Sequence, residues 1–143
     1  MSCKEKQEEY VALFTKLVDP LSQSDYLINL GMSLARCKKI RQEKFKIRGC
    51  KTSIWLNCEK KEGKVSFEAD SDSLLVKGIL KIMHSLYSDV SLKEIMECPP
   101  SFLNNISDDV IYPEIKNNGI KKCYEELISC GGKQNEIRNG CES

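Results

Sequence analysis

The sequence predicts a single α+β domain in which a small three-stranded antiparallel sheet has helices packed on one face. Three observations carry that prediction. The apolar residues recur at helical spacing up to residue 34, switch to strict alternation between 45 and 69, and return to helical spacing from 74 onward. The chain has 143 residues, enough for one compact core. Residues 1–130 are expected to form this domain, and the glycine-rich, charged residues 131–143 a disordered tail.

Tyr10, Leu13, Phe14 and Leu17 lie at i, i+3, i+4, i+7 and predict a helix over 8–18. Asp19-Pro20 interrupts it, and Pro20 suits the start of a second helix whose face is Tyr26, Leu27, Leu30 and Leu34. Phe45 and Ile47, then Ile54, Leu56 and Cys58, then Val65, Phe67 and Ala69 alternate as three strands, with Lys60-Lys61-Glu62-Gly63 as the turn between the last two. The stretch 49–53 breaks the alternation, which places Cys50 in a tight connection rather than inside a strand.

Asp70-Ser71-Asp72-Ser73 offers N-caps for a helix over 74–87, apolar except for a stripe of Lys77, Lys81, His84 and Ser85. Gly78 costs that helix about 1 kcal/mol relative to alanine, so another backbone is expected to pass close to it. His84 falls on the solvent stripe with no acid or nucleophile beside it. Residues 91–96 read as a short helix ended by Pro99-Pro100. Asn117 or Asn118 is placed to cap a last helix that buries Ile120, Cys123, Tyr124, Leu127 and Ile128.

Composition narrows the function. The amino-terminal residues are charged, and no apolar stretch approaches a membrane span, so a soluble cytoplasmic protein without membrane association is expected. Eleven Lys/Arg against three Glu occupy residues 32–64. With only Phe45 and Trp55 interleaved, this reads as a solvated or protein-docking face rather than a nucleic-acid site. The eight cysteines never fall within four positions of one another, and one histidine cannot complete a Cys₂His₂ set, so no metal site is expected. Cys37, Cys58, Cys98, Cys123 and Cys130 read as small packing residues, and Cys3 and Cys141 as parts of frayed termini.

Cys50 differs from these. Gly49 precedes it, and Arg48, Lys51 and Lys46 surround it, a context expected to lower its thiol pKa and present it to solvent. No general base accompanies it, which disfavours hydrolysis. A thiol that receives and passes on sulfur, a peroxide-sensing thiol resolved by Cys58, and an inert residue in a basic binding module all stay open. Direct pairing with Cys58 is doubtful, because eight extended residues span about 20 Å or more.

Arg48-Gly49-Cys50-Lys51-Thr52-Ser53-Ile54-Trp55 resembles the Gly-Cys-x-Ser/Thr-x-Val/Ile-Trp signature of the SufE family of sulfur acceptors. Tyr26 to Gly31 is similar to that family's Tyr-Leu-Ile-x-Leu-Gly helix, and Asp70 to Gly78 to its Asp-Ser-Asp-x-x-Ile-Val-x-Gly segment. Pro113 to Ile120 is similar to its late Pro-Ser-Arg-x-Asn-Gly-Leu motif, one residue longer here and with Lys116 where arginine is usual. Lys51 replaces the family's common glutamine.

The resemblance implies a SufE/IscU-like fold. It also implies that Cys50 takes sulfane sulfur from the persulfide of a SufS-like cysteine desulfurase, stimulates that enzyme, and passes sulfur to a SufBCD-like iron–sulfur scaffold. Cys50 would then be the persulfide-forming residue, with Gly49, Arg48, Lys51, Thr52, Asp72, Lys116 and Asn118 in support. No cofactor would be bound, pyridoxal phosphate belonging to the desulfurase, and a homodimer is possible.

Overall fold

The computed structural model describes residues 1–35 and 37–133. Helix α1 (Cys3–Lys16) opens on a capping box: the Glu5 amide donates to Ser2 Oγ (3.2 Å) and the Ser2 amide to Glu5 Oε1 (2.8 Å). The capped start reaches five residues ahead of the expected one and buries Cys3 to 1% exposure, so Cys3 is a core residue and not part of a frayed end. Asp19 caps α2 (Pro20–Met32), with Pro20 at its first position.

Two eight-residue strands, β1 (Ile54–Lys61) and β2 (Lys64–Ser71), pair antiparallel from Ile54↔Ser71 to Lys61↔Lys64. Glu62 and Gly63 between them have φ of 54° and 78°, positive at both positions as a tight two-residue hairpin requires. This register puts Ile54, Leu56 and Cys58 on the same face as Val65, Phe67 and Ala69. Helix α3 (Leu74–Tyr87), capped by Ser73, covers that face together with a long carboxy-terminal helical segment.

The sheet is three-stranded and antiparallel, in the order β1-β2-β3, but its third strand is not the 45–47 run. That run supplies a 3₁₀ turn (Glu43–Phe45) and one bridge, Lys46↔Trp55. Only three residues separate Phe45 from Gly49, too few for a ladder. The third strand is β3 (Val90–Ser91), on the other edge against Lys64 and Val65, and Ser91 then caps α4 (Leu92–Met96). Asp89, at φ 62°, turns the chain back after α3 and donates its amide to the Val65 carbonyl (2.6 Å).

Helices α2 and α3 meet through two glycines. A Cβ on Gly78 would fall on the Leu27 carbonyl oxygen, and one on Gly31 on the Leu74 carbonyl oxygen. This is the close backbone approach that Gly78 signalled.

After the 3₁₀ turn Ser101–Asn105, the chain enters α5 (Pro113–Ile115), passes through a π turn (Lys116–Ile120) and continues as α6 (Lys121–Gly132). Asn117 and Asn118 therefore sit inside a helical segment and cap nothing. A π turn holds one more residue than an α turn. Gly119 and Ile120, at the end of that turn, are buried on the core side. Helix α6 continues through Gly131 and Gly132, two residues past the expected domain end. The rest of the expected tail from residue 134, with Cys141, lies outside the described residues.

Candidate functional site

Residues 48–53 form a loop closed at its base by the Ile47 amide, which donates to the Ile54 carbonyl (2.8 Å), and by the Lys46↔Trp55 bridge. Ile47 and Ile54 are buried, so the base is part of the core while the loop projects from it. Gly49 turns the chain at φ +87°, in the left-handed region that glycine adopts freely.

The carboxy-terminal arm of the loop is anchored by the Asp70-Ser71-Asp72 run. Ser71 Oγ donates to the Ser53 carbonyl (2.7 Å), and the Asp72 amide reaches the same oxygen (3.4 Å). Asp70 is fully buried and accepts from Arg41 Nε (2.9 Å) and from the amides of Ser71 (2.8 Å) and Cys37 (3.2 Å), with Lys77 Nζ at 3.8 Å. Burial opposes the charge on Asp70, but Arg41 and these amides prevail and hold its carboxyl below the ordinary range. Arg41 also pairs with Asp72 (2.7 Å) and lies 4.6 Å over the Trp55 ring. Asp72 thus acts on the loop through Arg41 and Ser53.

At the loop's apex Cys50 is half-buried against the core, over Gly119. A Cβ on Gly119 would stand 3.0 Å from Cys50 Sγ and 2.9 Å from Ile54 Cδ1, so only glycine leaves room for the sulfur. Two polar contacts hold the loop against the helical wall. The Lys51 amide donates to Glu114 Oε2 (3.3 Å), and Lys122 Nζ donates to the Arg48 carbonyl (2.8 Å).

The electrostatics correct the expectation of a depressed thiol. Burial pushes the Cys50 thiol up; the Thr52 amide opposes this, the Glu114 carboxylate reinforces it, and Lys122 opposes again. The neighbours in sequence do not decide the matter. Arg48 is committed to an exposed pair with Glu43 (3.0 Å), and the Lys51 side chain is exposed. In this docked state the thiol is held protonated.

Of the residues expected to support Cys50, the structure brings Arg48, Gly49, Lys51 and Thr52 together in its loop and places Asp72 at the loop's anchor. Lys116 is engaged elsewhere, donating to the Ile106 carbonyl and to Asp108 (2.8 Å), where it ties the 106–108 segment to the π turn. Asn118 is exposed. Sequence reasoning missed Arg41, Glu114, Gly119 and Lys122. Glu114 and Gly119 lie within the Pro113–Ile120 motif, which was legible as a unit, but Arg41 and Lys122 carry no local signal.

Of the other thiols, the fully buried Cys123 is pushed up by burial first and then by the nearby Cys50. Cys58 Sγ faces α6, 3.8 Å from the Glu126 carbonyl. Among the described residues no group of three or more His, Cys, Asp or Glu is placed to hold a metal ion, and no helix is long and apolar enough to cross a membrane.

A thiol lodged at the tip of a loop, on an α+β scaffold with one sheet face covered by helices, defines a thiol-presenting domain. The family model of the SufE Fe-S metabolism associated domain matches residues 8–137, and the chain belongs to the SufE family. The family model describes this domain as associated with Fe-S metabolism.

Among curated relatives, the cysteine desulfuration protein SufE of Wigglesworthia glossinidia brevipalpis is 31% identical over 97 residues, covering 66% of this chain and 58% of the relative. SufE-like protein 1 of Arabidopsis thaliana, described as chloroplastic/mitochondrial, is 27% identical over 117 residues, which cover 80% of this chain and 32% of that protein. An uncharacterized SufE-like protein of Synechocystis is 24% identical over 118 residues, 82% of this chain and 74% of the relative. This chain therefore spans about a third of the Arabidopsis protein and less than two thirds of the Wigglesworthia protein. The solution structure of a hypothetical protein from Thermus thermophilus shares the fold, with a TM-score of 0.66 at 17% identity over 88% of this chain and 93% of that one.

Proposed function

We propose that Cys50 is a persulfide carrier: it accepts sulfane sulfur from a pyridoxal-phosphate-dependent cysteine desulfurase and delivers it to an iron–sulfur assembly scaffold. The observation that carries this reading is the mounting of the thiol. The base of its loop is built into the core, while its tip is held by two hydrogen bonds at the surface, about 1 kcal/mol each. Such a tip can leave the wall without unfolding the domain.

Undocking changes the chemistry of the sulfur. Away from the wall it sheds the burial and the Glu114 carboxylate that keep it protonated, and it retains Lys46, Arg48 and Lys51 on its own segment. The thiolate then attacks the outer sulfur of the donor persulfide. A bond forms between Cys50 Sγ and that sulfur, the donor's S–S bond breaks, and the donor cysteine leaves as thiolate. Cys50 now carries S–SH. Redocking over Gly119 beside Ile54 shelters the persulfide from reductants until an acceptor thiol repeats the exchange.

The reading is tested by adding the protein to a cysteine desulfurase and following alanine formation from cysteine. Wild-type protein should raise turnover, and Cys50→Ser should not. Equal stimulation by both would exclude Cys50 as the acceptor.

A further inference from the structure

The remaining cysteines meet in space as two pairs, Cys58 beside Cys130 and Cys3 against Cys98. Cys3 opens α1 and Cys98 follows α4, 95 positions apart, yet their sulfurs lie 2.8 Å from each other, and the residues are 1% and 2% exposed. That separation is within about 1 Å of a disulfide bond length.

The backbones on both sides are fixed by side-chain clamps. The Cys3 amide donates to Glu94 Oε2 (2.8 Å), which pins the head of α1 to α4. Tyr87 Oη donates to the Cys98 carbonyl (2.6 Å). Gln7 Nε2 reaches both Cys98 Sγ (3.3 Å) and the Pro99 carbonyl (3.0 Å), while its Oε1 accepts from the Phe102 amide (2.9 Å). Core packing accounts for one buried cysteine in such a place. It does not call for two sulfurs facing each other on backbones clamped from α1, α3 and α4.

We propose that Cys3 and Cys98 are a redox-active dithiol that closes to a disulfide, clasping the head of α1 to the chain leaving α4 when the surrounding thiol–disulfide balance becomes oxidising. The co-reactant is a small disulfide of the glutathione class. A thiolate of the pair attacks one sulfur of the oxidant, whose S–S bond breaks to release one thiol and leave a mixed disulfide. The second cysteine attacks the protein-side sulfur of that mixed disulfide and expels the other half as a second thiol. The pair loses two electrons and two protons, and one oxidant disulfide becomes two thiols.

Burial, the neighbouring Cys98 and Glu94 push the Cys3 thiol up, against a smaller opposing effect of Lys6, so in its buried position Cys3 is held as the thiol. Reaction passes through fraying of the first turn of α1, which is held by the Ser2–Glu5 capping box and the Glu94 contact. The acceptor thiol Cys50, packed over Gly119 and Ile54, takes no part in the pairing.

The test uses the full chain equilibrated in glutathione buffers from reduced to strongly oxidised, quenched in acid, blocked with maleimide and mapped without reduction. A product lighter by two hydrogens, with the Cys3 and Cys98 peptides linked, is expected from native protein and from Cys50→Ser. It should be lost in both Cys3→Ser and Cys98→Ala. The oxidised wild type should melt higher than the reduced by on the order of 10 °C, as a bridge closing so long a loop predicts. The wild-type map does not depend on the variants folding. Absence of the link at every poise, or its formation only in denaturant, would overturn the proposal.

Discussion

Replacing Gly119 by alanine separates two things that this position does. The new Cβ meets Cys50 Sγ at 3.0 Å and Ile54 Cδ1 at 2.9 Å. Ile54 is fully buried, so the loop sulfur is the partner that gives way. Overpacking of this kind costs about 1–3 kcal/mol, and here it falls on the docked loop. The helix itself gains about 1 kcal/mol from losing a glycine. With two surface hydrogen bonds at about 1 kcal/mol each, the docked loop is favoured by about 2 kcal/mol, or about 30-fold. A penalty of similar size brings docked and free loop near parity. The assay is the rate of iodoacetamide alkylation at Cys50, followed by mass spectrometry beside a thermal melt. Alkylation should accelerate about tenfold with the melting temperature unchanged or slightly raised. An unchanged rate in a folded variant would refute the idea that docking over Gly119 controls access to the thiol.

Glu114→Gln keeps an acceptor for the Lys51 amide but removes the charge that reinforces protonation of Cys50, so the pH midpoint of alkylation should move down; an unmoved midpoint contradicts the assignment. Arg41→Met leaves the buried Asp70 with two backbone amides and, among the described residues, Lys77 at 3.8 Å as its remaining cation, and should cost about 3 kcal/mol in urea unfolding at neutral pH. Because the folded Asp70 carboxyl lies below its unfolded value, its contribution is complete above the ordinary carboxylate range and is lost as pH falls through the folded value. The gap between wild type and Arg41→Met should therefore narrow in acid, and a gap that stays constant would count against the buried pair. Gly78→Ala drives a Cβ into the Leu27 carbonyl, where neither backbone can yield, and should lower the urea midpoint by an equivalent of about 2–3 kcal/mol; a neutral result would deny the close α2–α3 contact.

Much of this fold can be read from the residues because its determinants are periodic or local. The alternation in 54–58 and 65–69 sets the hairpin faces, Asp19-Pro20 starts α2, and a glycine inside the apolar α3 announces a neighbouring backbone. Elements without a period escape such reading. Strand β3 has two residues, and the π turn at 116–120 shows only in its backbone hydrogen bonding. Cys3 reads as a chain end from sequence because the capping box around it rests on only Ser2 and Glu5, a pattern weaker than the apolar period that follows.

The site divides in the same way. Gly49 and the break in alternation mark Cys50 as a loop residue, which is where the fold puts it. Its electrostatics do not follow the sequence, because basic neighbours in sequence are not basic neighbours in space. Arg48 pairs with Glu43 and Lys51 is exposed, and the charges that act on the sulfur are those of Glu114 and Lys122, 63 and 74 positions from the loop residues they bind.

The central claim is that sulfur comes to rest on Cys50. The most direct measurement is to incubate the protein with a cysteine desulfurase and cysteine, block free thiols and map every cysteine by mass spectrometry. The account predicts one added sulfur on the Cys50 peptide, absent without the desulfurase and absent from Cys50→Ser at any position. No added sulfur on Cys50, or sulfur on another cysteine that persists in Cys50→Ser, would contradict it.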